Sequence, residues 1–156
     1  LNPLAARPIS TVNWLGYGGL IPFVVLAAVA AVGGDYAGFC SHALFSYGAV
    51  ILSFVGALHW AFAMTCPELS EPRRDATLRW SVVPALVAWL ALLITPAAAG
   101  VVLVAGFLAQ YLQDRRLASQ ASLAAWYLPL RLRLTTVACA CLVAGAFAAR
   151  QWPARP

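Results

Sequence analysis

His59, followed directly by Trp60, is where this sequence could do chemistry. Among all His, Asp, Glu, Lys and Arg residues, His59 alone falls well inside a long apolar run. Ionisable groups are costly at membrane depth and are seldom left there without a partner or a role. An imidazole can donate to or accept from a carbonyl, carry a proton, or ligate a metal. Metal ligation finds little support. The other histidine, His42, belongs near the opposite end of its segment, so depth argues against a bis-histidine haem. Cys139 and Cys141 are two residues apart, which on a helix turns their side chains about 200° from one another. No Ser–His–Asp set, paired buried carboxylates or zinc motif is present. The expectation is a protein that is not an enzyme and has neither metal nor cofactor.

The elements that must position His59 follow from composition. The 156 residues are 63% hydrophobic and 10% charged, with a mean hydropathy of +0.82. The charges come in short clusters between apolar runs of bilayer length. These runs lack the period-two alternation of barrel strands, so their backbones must be satisfied as helices. The reading is an all-α, polytopic membrane protein, a single domain of five transmembrane helices. The spans fall at about 12–32, 43–65, 78–95, 96–113 and 130–149. Ser10 and Thr11 are candidate N-caps for the first and Asp75 for the third. Thr95 and Pro96 suit the start of the fourth, which makes a tight hairpin of the third and fourth. Pro22 and Pro84 should kink their spans. The connection from Asp114 to Pro129 is long enough for a short interfacial helix, with Trp126 and Tyr127 at headgroup level. Arg7, the first apolar run and Ala28-Val29-Ala30 loosely resemble a signal peptide, but the segment is read as a retained span.

All ten basic residues are arginine, and they set the net charge of +5. With five spans, eight of them (Arg7, Arg73, Arg74, Arg79, Arg115, Arg116, Arg131 and Arg133) fall on one face. By the positive-inside rule the N-terminus lies inside and the C-terminus outside. These arginines read as membrane anchors, and no nucleic-acid surface is evident.

His59 then sits roughly 10 Å from the inner end of its span, at about 1.5 Å per residue. Other polar side chains reach similar depth: Asn13 and Tyr17 on the first span, Arg79, Trp80 and Ser81 on the third, Gln110 on the fourth. They form either an inner-leaflet pocket with His59 and Trp60 or a layer that hydrogen-bonds helices together. Ala49, Ser53, Ala57, Ala61 and Thr65 make a small-residue stripe that permits close helix approach.

Several segments carry a family likeness. They are Leu20-Ile-Pro-Phe23, Tyr47-Gly-Ala-Val-Ile-Leu-Ser53, Gly56-Ala-Leu-His-Trp60, Trp80-Ser-Val-Val-Pro84, Trp126-Tyr127 and Leu130-Arg-Leu-Arg-Leu-Thr135. Together they resemble the transmembrane protein 69 family, also called domain of unknown function 3429. The likeness runs from about Leu15 to Val143 and is most specific at the span ending in His59-Trp60. It implies a bacterial or mitochondrial inner membrane, here the bacterial inner membrane, and supplies no substrate.

Two expectations for function follow. One is a non-catalytic accessory or assembly subunit of an energy-converting (respiratory or photosynthetic) complex, with membrane lipid and other membrane-protein subunits as partners. The alternative is a quinone or lipid binder, with His59 donating to a carbonyl and Trp60 or Trp80 stacking on a ring. That alternative requires His59 to face the bundle beside a cavity. A proton path is disfavoured, because no chain of acidic residues accompanies the histidine.

Overall fold

The computed structural model describes residues 10–151, and within them every regular element is an α-helix. They are α1 (Ser10–Gly18), α2 (Ile21–Val32), α3 (Ala37–Thr65), α4 (Glu71–Ala91), α5 (Pro96–Ala118) and α6 (Tyr127–Gln151). Four segments are long and apolar enough to cross a membrane: Ser10–Val32, Ala37–Thr65, Pro96–Ala118 and Tyr127–Gln151. The protein is therefore a polytopic helical membrane protein. Arg7 and Arg155 lie outside the described residues.

The expected spans change at their edges. The first breaks at Gly18–Leu20 into α1 and α2, and Pro22 occupies the first turn of α2 instead of kinking a continuous helix. The break frees the Gly19 carbonyl, which accepts from the Tyr47 hydroxyl of α3 at 2.9 Å. Gly33 and Gly34 then turn the chain into α3 with φ of 84° and 90°, a region that favours glycine.

The third segment differs most. α4 starts at Glu71 instead of near Leu78, with Ser70 at its N-cap position and Asp75 inside the helix. Glu71, Arg73, Arg74, Asp75 and Arg79 all fall in its first half, so α4 does not meet the length-and-hydropathy measure of a membrane span. Pro84 stays within α4 and lies against Gly56 of α3. A Cβ on Gly56 would be 2.7 Å from the Pro84 Cβ, so that crossing requires glycine. Thr95 and Pro96 open α5 as expected, although the Thr95 side chain makes no capping bond.

The connection between α5 and α6 holds no interfacial helix. α5 runs on through Ala118 and α6 begins at Tyr127, so Asp114 belongs to a helix and not to a loop. The core is built from the inward residues of α2, α3, α5 and α6, including Phe23, Leu44, Leu52, Leu103, Phe107 and Leu142, with Ala88 and Ala91 from α4. Toward the arginine-rich end, Leu69, Leu117 and Ala121 form a separate apolar plug with Phe62 and Leu123. What lies between core and plug is polar.

A buried polar network flanked by two cavities

α5 sends two polar side chains into the bundle one turn apart, Gln110 and Asp114, each with no solvent exposure. They continue the inward face of Gly100, Leu103 and Phe107, and Leu117 follows on that face. His59 of α3 and Arg131 of α6 are buried against them. The burial of four such groups together is tolerable only if they satisfy one another.

Gln110 is the hub. Its Oε1 accepts from Trp80 Nε1 of α4 at 2.8 Å. That fixes the amide orientation, leaving Nε2 with two hydrogens to donate. Three acceptors face it: the Val55 carbonyl at 3.1 Å, His59 Nδ1 at 3.0 Å and Asp114 Oδ1 at 3.4 Å. Two hydrogens serve the two shorter contacts. His59 Nδ1 therefore accepts, and its ring carries hydrogen on Nε2. That Nε2 lies 3.7 Å from Asp114 Oδ1 and makes no hydrogen bond to any of the described residues.

Asp114 is the charge centre. Its Oδ2 accepts from Arg131 Nε at 2.7 Å, and its Oδ1 accepts from the Tyr127 hydroxyl at 3.2 Å. Carboxylate and guanidinium cancel, so the pair is neutral as a unit. The rings of Phe62 and Tyr127 stand edge to face at 5.5 Å, and Phe62 lies likewise against His59 at 6.3 Å. The network thus joins α3, α4, α5 and α6. Each of its members reaches across to another helix, which is what a polar layer between membrane helices provides.

Of the residues expected to surround His59, Gln110 and Trp80 do so. Trp60 does not: it follows His59 by about 100° around the helix and is 55% exposed on the outer surface. Tyr17 is exposed and meets Arg133 at 3.4 Å. Arg79 bonds the Asp75 carbonyl of its own helix and shares a cavity wall with His59, and Ser81 bonds the Leu78 carbonyl. Asn13 is half-buried on α1, a helix that contributes no member to the network.

Asp114, Arg131 and Tyr127 were the missing members. Arg131 is not only a membrane anchor, nor Tyr127 only part of an aromatic belt. His59 is also not the one ionisable group in the interior, and an acidic residue does accompany it.

Two cavities border this network. The first, about 370 Å³, is lined by His59, Trp80, Arg73, Arg79, Arg116 and Gln113, among others. Among the described residues, three arginines line it and no carboxylate does. The second, about 320 Å³, is an apolar cleft between α1–α2, α3 and α6. Its wall includes Phe23, Phe54, Phe107 and Trp126, with Tyr127, Arg131 and Thr135 as its polar members. Arg131 Nη2 and Thr135 Oγ1 are buried without a hydrogen bond to any of the described residues. The network therefore separates a cationic chamber from a hydrocarbon one.

Comparison with known proteins places this arrangement in context. The family model described as "Protein of unknown function (DUF3429)" matches residues 8–147. "Transmembrane protein 69" of Xenopus tropicalis is 42% identical over 135 residues, which cover 83% of this chain and 51% of that protein. The chain thus spans about half the length of this curated relative. No solved structure matches.

Proposed function

We propose, for a chain that belongs to the DUF3429 family, that it binds an anionic membrane amphiphile without catalysis, holding the headgroup in the cavity beside His59. One observation carries this reading: Arg73, Arg79 and Arg116 line that cavity together with His59, and among the described residues no Asp or Glu lines it. Guanidinium groups match phosphate oxygens in charge and geometry. The quinone-or-lipid expectation is thereby narrowed at this cavity, because a neutral quinone offers the three guanidinium groups no charge to pair with. Trp80, held by Gln110, forms part of the wall; Trp60 is on the outside of the bundle and takes no part.

The arginine-rich end is proposed to face the cytoplasm, with the N-terminus inside and the C-terminus outside a bacterial inner membrane. Anionic lipid headgroups in the cytoplasmic leaflet attract basic residues by about 1 kcal/mol per Arg. Losing two arginines should then weaken binding roughly thirtyfold, the equivalent of about 2 kcal/mol. The test compares the thermal stability of purified wild type and Arg73→Gln/Arg116→Gln in a neutral detergent. Phosphatidylglycerol, phosphatidylcholine and inorganic phosphate are added separately. Stabilisation by phosphatidylglycerol alone, reduced in the variant, supports the reading. Equal stabilisation by phosphatidylcholine, or an unchanged response in the variant, would sink it.

The accessory- or assembly-subunit reading has an observation of its own. Ser53, Ala57 and Ala61 of α3 and Ala85 of α4 line an outward groove bounded by Trp60 and Leu86. Small side chains of this kind admit a second transmembrane helix closely. Site-specific crosslinking from Ala61→Cys in native membranes tests it: a discrete heteromeric adduct supports a subunit role, and lipid-only labelling counts against it.

A further inference from the structure

We infer that the apolar cleft between α1–α2, α3 and α6 is a second binding site, for a neutral carbonyl-headed isoprenoid of the quinone class. The site is distinct from the arginine-lined cavity and does not rest on the anionic-lipid reading. The cleft starts at Trp126 and runs along α6 from Tyr127 to Ala138, roughly 17 Å of helix at about 1.5 Å per residue. It opens between helices that otherwise face lipid, so an amphiphile enters it sideways from the bilayer. Its volume of about 320 Å³ lies within the range of small-molecule sites, roughly 300–1,000 Å³.

Three features select the ligand. Phe23, Phe54, Phe107 and Trp126 give the cleft an aromatic lining, suited to a planar ring. Arg131 Nη2 and Thr135 Oγ1 belong to side chains that line the cleft and are more than nine-tenths buried, and neither atom has a hydrogen-bond partner among the described residues. Such donors are costly in apolar surroundings until an acceptor reaches them. Finally, the charge of Arg131 is already neutralised by Asp114 at 2.7 Å. An anion here would add a second negative charge beside a guanidinium that Asp114 already neutralises, whereas a neutral carbonyl oxygen gains the hydrogen bond without adding charge. The same arginine chemistry therefore selects opposite ligands on the two sides of the network.

Trp126 supplies the signal for a test, since it lines the cleft. The full chain in neutral micelles is titrated with a decyl-substituted benzoquinone while tryptophan fluorescence is followed, with methyl decanoate as the ring-free competitor. Saturable quenching is expected, lost in Trp126→Phe and unaffected by methyl decanoate. Thr135→Val should weaken binding about three- to tenfold, the loss of one hydrogen bond. Gly16→Leu should weaken it further by narrowing the cleft, because even a Cβ there would meet the Leu134 side chain at 3.3 Å. Both variants are to be compared at matched thermal stability, so that a folding defect is not read as lost binding. Non-saturable quenching, quenching unchanged in Trp126→Phe, equal competition by methyl decanoate, or wild-type affinity in Thr135→Val would each overturn the inference. Arg73→Gln/Arg116→Gln should leave quinone binding unchanged, which keeps its failure separate from that of the anionic site.

Discussion

The two ends of this bundle are held by different forces. At the arginine-rich end, α3 to α6 meet through side chains that carry charge or hydrogen bonds: His59, Trp80, Gln110, Asp114, Tyr127 and Arg131. At the opposite end the same helices meet through small apolar surfaces. A Cβ on Gly100 would lie 2.8 Å from that of Ala146, and one on Gly145 only 2.5 Å from Leu44. Ala30, Cys40 and Ala148 close that end. Lipid competes well for apolar helix faces, so close packing must do the holding there. Polar groups have no such competitor in hydrocarbon, and each needs a specific partner. One end therefore tolerates little change in size, and the other tolerates almost no change in chemistry.

That contrast predicts an order of effects. Asp114→Ala should be the most damaging single change, because it leaves Arg131 buried and unpaired; breaking such a pair costs about 3–5 kcal/mol. Steric-trap or denaturant unfolding in bicelles would measure it, and a loss near zero would show that Arg131 escapes to the interface. Gly56→Ala should follow at about 1–3 kcal/mol, since its methyl group would collide with the rigid Pro84 ring and force α3 from α4. Gln110→Leu keeps the shape but strands Trp80 Nε1 and His59 Nδ1, with an expected loss of about 1–3 kcal/mol. The emission of Trp80 should shift as well, which separates a lost hydrogen bond from general loosening. Ala61→Leu, on the exposed part of the α3 stripe, should change stability by less than about 0.5 kcal/mol. A large loss there would mean that the groove is already occupied.

The fold was largely legible because bilayer-length apolar runs admit few alternatives. The site was legible in part. His59 stood out because it interrupts an apolar run, and Gln110 because it sits just inside one. Asp114 and Arg131 did not stand out, because they lie at span ends, where charged residues are ordinary. A signal for them was present in helical spacing. Gly100, Leu103, Phe107, Gln110, Asp114 and Leu117 recur at three- and four-residue intervals, as do Arg131, Thr135, Ala138, Leu142 and Gly145. Extending each inward face past the hydrophobic boundary would have drawn both charges inside. Asn13 and Tyr17 share a depth with His59 but not a face, and depth alone does not bring side chains together. The start of α4 was hidden for a related reason: its first two turns are too charged to register as membrane helix, although nothing in them breaks a helix.

The same reasoning explains why one arginine could be taken for an anchor. Arg131 and Arg133 are neighbours in sequence and point to different sides of α6. Arg131 goes inward to Asp114, and Arg133 outward to the Tyr17 hydroxyl. Only the first is committed to the interior, where its neutralisation by Asp114 sets what each cavity can accept.

The central claim is that Asp114 and Arg131 act as one neutral unit clasping α5 to α6. A double-mutant cycle of Asp114→Asn and Arg131→Met, read as unfolding free energy in bicelles, tests it most directly. The expected result is strong coupling, with the double variant more stable than either single one because neither charge is left alone. Additive losses would contradict the claim.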